Sequence, residues 1–264
     1  MYKKKKPNTK RNHLVPQFLL RNFSKDGKFI YLHNKYNGKT LRTNISNSAV
    51  NKGFYIDKVE GILSTLESEV SLIVDNKILK GKSIFKKEVE TLHKYVIIQY
   101  IRTKQMYDLL HSELEKQGIN FKLYKAFNKM LYNNSNKTSS SLSELFNKKT
   151  LYILRIPKRY VNNEHFDRFI LSDNPCVAGN FSPPNQNNFK FQIRLIISPN
   201  HALHFSGKKL CFRGYITLTD TDTINMINYY TFENATQIIS KKEIPDKFLL
   251  NNFGWKYPEP RNFN

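Results

Sequence analysis

The stretch VEGILSTLESEVSLI, residues 59–73, indicates the class of the fold. Its apolar residues recur at spacings of three and four, which places them on one face of a helix. The members of this face are Val59, Ile62, Leu63, Leu66, Val70 and Ile73. The pattern predicts a helix over residues 58–79, ended by Gly81-Lys82-Ser83.

The segments on either side of this helix differ in type. Residues 29–33 (FIYLH) and 40–45 flank a polar turn at 34–39, and this arrangement predicts a β-hairpin. After the helix, apolar spacing predicts a long second helix from Phe85 to Gln117 and a third over residues 120–132. The stretch NNSNKTSSS at 133–141 is polar and without apolar periodicity, as a linker would be.

The chain after residue 141 is rich in short β-branched and aromatic runs, which favour strands. The predicted strands are 151–156, 166–171, 191–197, 202–206, 216–218 and 236–239. Asp220 or Thr221 is expected to cap a helix that continues to Phe232. The order predicts an α+β fold, with a helical middle packed on a small N-terminal hairpin and a β-rich C-terminal half, expected as one mixed sheet.

The domain organisation and compartment follow from composition. Residues 1–12 are expected to form a flexible basic arm, and residues 13–264 a single α+β domain with a polar linker near 133–141. No run of about 18 apolar residues is present, so no membrane partner is expected. The two cysteines, Cys176 and Cys211, are too few for a disulfide scaffold, and the cytoplasm is the expected compartment.

The charge of the chain has two interpretations. A net charge of +22 favours a nucleic-acid partner bound through a lysine-rich surface. The basic residues are 33 Lys and only 10 Arg, which is equally typical of an AT-rich genome, and Arg is the residue expected at bidentate phosphate contacts. Without the six basic residues of Lys3–Lys6, Lys10 and Arg11, the net charge is still +16.

Standard catalytic motifs are absent from the sequence. It has no phosphate-binding glycine loop, no GxSxG, no HExxH and no CxxC. His201 and His204 lie three residues apart in a predicted strand, so they are expected on opposite faces and make a poor metal pair.

Five ordered segments carry a family resemblance. Residues 13–23 (HLVPQFLLRNF) resemble an opening motif H-x-V-P-[QR]-x-[YF]-L-[RK]-x-F, and later matches include Gly53-Phe54-Tyr55, 63–69 (LSTLESE), 99–103 (QYIRT) and 169–175 (FILSDNP). Together with Ser198-Pro199, this set is similar to the uncharacterised bacterial domain-of-unknown-function family 4238 over most of residues 13–240. Members of that family resemble accessory proteins scattered among bacteria, so the resemblance suggests phage defence or mobile-element conflict.

The polar residues of these segments form the candidate site. His13, Glu67 and Asp173 are the candidate catalytic residues, since His13 can exchange protons near neutral pH while a carboxylate orients it or binds a divalent metal. The candidate substrate-binding residues are Gln17, Gln99, Arg102 and Asn174, of which Arg102 suits a phosphate. A nuclease-like phosphodiester hydrolase is the expected function, and the alternative is a non-catalytic basic nucleic-acid-binding or regulatory protein.

Each candidate residue also has a structural interpretation. Glu67 and Arg102 can form an ion pair between two helices, and Asp173-Asn174-Pro175 is typical of a turn. His13 can be a hydrogen-bonded structural histidine, and Cys176 a small buried hydrophobe. The sequence leaves these alternatives open, and it leaves the cofactor unknown.

Overall fold

The computed structural model describes residues 11–52, 56–103, 106–108, 112, 116, 149–157, 168–179, 192–207 and 211–243. The main described helices are α1 (Gln17–Asn22), α2 (Asp57–Ile73), α3 (Lys86–Ile101) and α4 (Thr221–Glu233). A 3-10 turn spans Ile45–Asn47, and a π-helical turn, Val74–Ile78, continues α2. The described strands are β1 (Arg11–His13), β2 (Phe29–Asn34), β3 (Thr40–Asn44), β4 (Val50–Lys52), β5 (Thr150–Arg155), β6 (Leu171–Ser172), β7 (Cys176–Gly179), β8 (Gln192–Ser198), β9 (His201–Ser206), β10 (Cys211–Thr217) and β11 (Gln237–Ser240).

The predicted N-terminal hairpin is confirmed as β2 and β3. The two strands pair antiparallel, with Phe29 opposite Asn44, and the Asn34 side chain accepts a hydrogen bond from the amide of Tyr36 in the turn. The hairpin belongs to an antiparallel four-stranded sheet of order β3-β2-β11-β6. The last strand of the described chain therefore pairs with the first hairpin.

The remaining strands form two further sheets. A five-stranded sheet has the order β10-β5-β9-β8-β7, in which β10 and β5 are parallel and the other neighbours antiparallel. The short strands β1 and β4 pair with each other. The α+β class is confirmed, and the described strands are divided among three sheets where one mixed sheet was expected. The division arises because the turn Asp173–Pro175 carries the chain from β6 in one large sheet to β7 in the other.

Several segments differ in the structure from what the sequence predicted. The second helix does not run unbroken from Phe85 to Gln117, because α3 ends at Ile101 and the hydroxyl of Thr103 accepts a hydrogen bond from the amide of Met106. Thr103 thus accepts from a backbone amide at the start of the helical residues 106–108, as an N-cap residue does. Of the strand expected at 166–171, residues 168–170 are not in a strand and β6 begins at Leu171, and the apolar segment after Pro16 forms the short helix α1. The third helix at 120–132 and the linker at 133–141 lie outside the described residues.

The buried apolar side chains form a connected core that extends from Leu14 to Ile239 along the chain. α3 lies deep within it: its Val89, Leu92, Val96 and Ile98 are each 1% exposed or less. Burial on more than one side explains why its apolar residues are not confined to a narrow stripe. The same burial forces the polar side chains of α3 to find partners within the protein.

Candidate functional site

The end of β1 and the start of α1 hold His13 beside Gln17. The imidazole Nε2 of His13 lies 2.8 Å from the amide Nε2 of Gln17, and its Nδ1 lies 3.2 Å from the carbonyl oxygen of Ser48. Because an amide nitrogen can only donate, Nε2 of a neutral His13 accepts and Nδ1 carries the proton that is donated to Ser48. The two contacts fix both the tautomer and the orientation of the ring.

An ion pair connects the two central helices next to this histidine. Nη1 of Arg102, at the end of α3, lies 2.5 Å from Oε1 of Glu67 on α2. The Arg102 side chain is 1% exposed and that of Glu67 is 25% exposed. The interhelical pair that the sequence offered as a structural alternative is therefore present, and its guanidinium is inaccessible to a ligand.

Two further polar side chains lie on the same face of α3 as Arg102. Gln99 donates from its amide nitrogen to the carbonyl oxygen of Leu14, 3.2 Å away, and is fully buried. Tyr95 packs its ring against Phe18, with centroids 5.9 Å apart, and burial raises the pKa of its hydroxyl well above the usual value. Tyr95 therefore remains a neutral hydroxyl. Gln99 fastens α3 to the segment that carries His13.

His13, Gln17 and Glu67 line a common cleft of about 520 Å³. The other lining residues are Phe18, Arg21, Glu60, Ser64, Ser68, Ser71 and Leu72. Oε2 of Glu60 accepts a hydrogen bond of 3.0 Å from the side chain of Asn12, so a second carboxylate is anchored at this wall. We call this cavity the His13 cleft. It combines an imidazole and two carboxylates, which proton transfer can use, with a row of neutral hydroxyls.

Asp173 and Asn174 are engaged elsewhere. The carboxylate of Asp173 accepts hydrogen bonds from the amides of Thr236 and Gln237, at 2.9 and 3.1 Å, and from the Thr236 hydroxyl. The Asn174 side chain donates to the carbonyl oxygen of Asn234. These contacts fix the turn between β6 and β7 against the start of β11 and favour the turn interpretation of this segment.

Sequence reasoning missed three members of the His13 neighbourhood. Tyr95 precedes Gln99 by four residues and Arg102 by seven, so helical spacing could have grouped it with them. Glu60 lies seven residues before Glu67 on α2 and was accessible to the same argument. Ser48 contributes a backbone carbonyl, and no property of its side chain could have revealed that role.

Within the described ranges, no group of three or more His, Cys, Asp or Glu side chains is arranged to hold a metal ion. His201 and His204 bond separately, to the hydroxyl of Ser198 and to the guanidinium of Arg194. Among the helices that the structure describes, none has the length and apolarity to cross a membrane.

Comparison with known families places the chain. A family model described as a protein of unknown function, DUF4238, matches residues 11–243. The chain belongs to the DUF4238 family. The DUF4238 match includes every residue of the His13 cleft, and it confirms the resemblance carried by the opening motif and the later elements. No curated protein and no solved structure matches this DUF4238 chain.

Proposed function

We propose that this DUF4238 protein is a nuclease-like enzyme that acts on phosphodiester bonds, with His13 as its general acid or base. The observation that carries the proposal is the double anchoring of His13. A proton fixed on Nδ1 by the Ser48 carbonyl leaves Nε2 as the basic nitrogen, at the wall of an open cleft. A histidine held in one tautomer by a backbone carbonyl is suited to accept a proton at its other nitrogen.

The proposed roles of the neighbouring residues follow from their contacts. In the free protein, the amide nitrogen of Gln17 donates to Nε2 of His13. When substrate binds, an attacking water or hydroxyl takes the place of this amide and donates to Nε2. As the oxygen of that water or hydroxyl attacks phosphorus, its proton passes to Nε2 and the P–O bond to the leaving oxygen breaks. The leaving oxygen takes a proton from solvent, and the amide of Gln17 turns to the substrate. Glu67 and the buried Arg102 are positioning residues, because their pair fixes the wall of the cleft opposite α1.

The overall charge supports a nucleic-acid substrate. A protein of net charge +22 attracts polyanions and concentrates them near its surface. The relation of DUF4238 members to accessory genes of bacteria suggests phage defence or mobile-element conflict as the setting, within the cytoplasm.

A cleavage assay tests the proposal. Wild-type protein and the variants His13→Ala and Gln17→Ala are incubated with single-stranded RNA, single-stranded DNA and duplex DNA, each with Mg²⁺, with Mn²⁺ or with EDTA. Ser64→Ala is the matched control, because Ser64 lines the same cleft but carries no group that titrates near neutral pH. We expect cleavage of at least one substrate by the wild type and by Ser64→Ala, a loss of about 100-fold or more in His13→Ala, and a smaller loss in Gln17→Ala.

The second candidate function is non-catalytic nucleic-acid binding. The internal pairing of Glu67 with Arg102 and of Asp173 with Thr236 favours it, because both carboxylates already have structural partners. Under this function no substrate is cut, the affinity falls steeply with salt, and His13→Ala binds as the wild type does.

A further inference from the structure

A group of basic side chains surrounds a cavity outside the His13 cleft. A second cleft, of about 730 Å³, is lined by Arg21, Lys80, Arg155 and Lys241, and no Asp or Glu lines it among the residues that the structure describes. We call it the basic cleft. Its remaining lining residues are Asn22, Ser24, Leu79, Gly81, Ile156, Pro157, Ser198, Pro199, Asn200 and His201. Amides and hydroxyls thus accompany the four cations, so the wall is rich in hydrogen-bond donors.

The basic cleft is assembled from chain segments that are far apart in sequence. The end of α1 supplies Arg21, the turn after the π-helical segment supplies Lys80, and the ends of β5 and β11 supply Arg155 and Lys241. The side chain of Asn22 donates to the carbonyl oxygen of Ile197, 2.8 Å away, and so ties α1 to β8. The convergence depends on the tertiary structure and does not follow from any basic run in the sequence.

The four cations have no carboxylate partner among the described residues, where the ion pairs are Arg42–Asp26, Lys77–Glu88 and Arg102–Glu67. Arg155 is held by the hydroxyl of Thr217 at 3.3 Å and lies over the ring of Tyr215, 5.7 Å from its centroid. The ammonium group of Lys80 donates to the neutral side chain of Asn76, 3.3 Å away. A bound anion would therefore meet positive charge that no described carboxylate neutralises.

Burial, and to a smaller extent neighbouring positive charge, lowers the pKa of two titratable groups of this cleft. Burial and the neighbouring Arg155 lower the pKa of His201 to about 4. Burial and the neighbouring Arg168 lower the pKa of Lys241. The groups that face them are Arg155, Arg168 and the Ser198 hydroxyl, which lies 3.0 Å from Nδ1 of His201.

We propose that the basic cleft is a phosphate-binding site, which holds a phosphate group of the nucleic-acid ligand at the end of β5 and β11. The identity of the ligand as nucleic acid rests on the proposed function, whereas the phosphate chemistry rests on the four cations alone. Arg and Lys donors combined with amide and hydroxyl groups are the usual partners of phosphate oxygens. Arg21 lines both clefts, so a strand held here continues past the His13 cleft.

Binding measured by fluorescence anisotropy tests this site. The ligands are a labelled single-stranded DNA with a 5′-phosphate, the same DNA with a 5′-hydroxyl, and, as competitors, a nucleoside monophosphate and inorganic phosphate. The variant Lys80→Gln, Lys241→Gln removes two charges from exposed or half-buried lysines of the cleft. The control Lys39→Gln, Lys94→Gln removes two charges from exposed lysines on the hairpin turn and on α3. Arg155→Gln is a further variant of the cleft, with a single substitution.

We expect the cleft variant to bind DNA at least about tenfold more weakly than the control. The slope of log affinity against log salt concentration should become shallower by the equivalent of one to two phosphate contacts, roughly 0.7 for each contact with a single strand. A preference for the 5′-phosphorylated DNA identifies a terminal phosphate as the ligand, and equal binding of both DNAs identifies a backbone phosphate. Binding of a fluorescently labelled nucleoside monophosphate, with no binding of either DNA, identifies a free nucleotide; it supports the cleft and overturns the nucleic-acid ligand. Equal affinities of cleft and control variants overturn the site.

A titration of His201 gives an independent readout. An anion bound near the ring raises its pKa, so NMR titration of this imidazole in saturating inorganic phosphate should show an upward shift from about 4. An unchanged titration in the presence of every phosphate ligand contradicts the site. Because anisotropy detects binding and not cleavage, loss of binding in the cleft variant remains distinguishable from loss of cleavage in His13→Ala.

Discussion

Arg102 and Glu67 form an ion pair across α3 and α2, with Nη1 and Oε1 separated by 2.5 Å and the guanidinium almost wholly buried. Glu67 lines the same cleft as Gln17, and Gln99, one turn before Arg102, bonds to the carbonyl of Leu14. The pairing thereby connects the position of His13 to the packing of the two central helices.

Loss of the Glu67 carboxylate should destabilise the protein strongly. Glu67→Ala removes the countercharge from a guanidinium that is 1% exposed, and breaking a buried pair in this way costs about 3 kcal/mol or more. Chemical denaturation of Glu67→Ala measures the change in the free energy of unfolding. Glu69→Ala is the control, since Glu69 is an exposed residue of the same helix, and we expect a change below about 0.5 kcal/mol there. Equal stabilities of the two variants would refute the prediction.

Asp173 should matter for stability and not for chemistry. Asp173→Ala removes the acceptor of two backbone amides and of the Thr236 hydroxyl, which we expect to cost about 1–2 kcal/mol in unfolding free energy. Nucleic-acid binding and any cleavage at a temperature well below unfolding should stay at the wild-type level. A variant of normal stability with abolished cleavage would instead restore Asp173 to the catalytic set.

The two cysteines should differ in reactivity. Burial raises the pKa of the Cys176 thiol, and its Sγ contacts the carbonyl oxygen of Val96 at 3.7 Å, whereas Cys211 is half-buried. Because the thiolate is the reactive form, iodoacetamide should alkylate Cys211 and spare Cys176 in the folded protein. Mass spectrometry of labelled wild type and Cys211→Ser checks this: the variant should take up label only after denaturation.

Acid should destabilise the protein through His201 and His204. Burial and a neighbouring arginine lower the pKa of His201 to about 4 and that of His204 to about 3. Histidines of the unfolded chain titrate near 6.5, so between about pH 6.5 and 4 the unfolded state binds more protons and stability falls as the pH falls. The loss should be on the order of a few kcal/mol for the two residues together.

The variant His201→Asn, His204→Gln tests the origin of this pH dependence. Gln can still accept from the Arg194 guanidinium, which donates to Nδ1 of His204 at 3.3 Å in the wild type. Unfolding free energies of variant and wild type measured from pH 7 to 4.5 should diverge, with the shallower slope in the variant. Parallel slopes would assign the acid sensitivity to other groups.

Local patterns were sufficient for several elements. The spacing of Val59, Leu63, Leu66 and Val70 predicted α2, and the polar turn between two β-branched or aromatic runs predicted the β2–β3 hairpin. Asp220 or Thr221 was expected to cap α4, and the Asp220 carboxylate does accept from the amides of Asp222 and Thr223. These predictions succeed because a helix face, a hairpin turn and a cap are each determined by residues within a few positions of one another.

The sequence by itself determined the α+β class, the family motif and the polar residues that accompany α1, α2 and α3. Only the tertiary structure decided which of them meet: it brings His13 to the Ser48 carbonyl and Glu67 to Arg102, and it fastens Asp173 to residues 236–237. It also brings Arg21, Lys80, Arg155 and Lys241 around one cleft. Such contacts depend on sheet order and on the packing of helices from distant segments. The spacing of residues along one segment does not encode either of these.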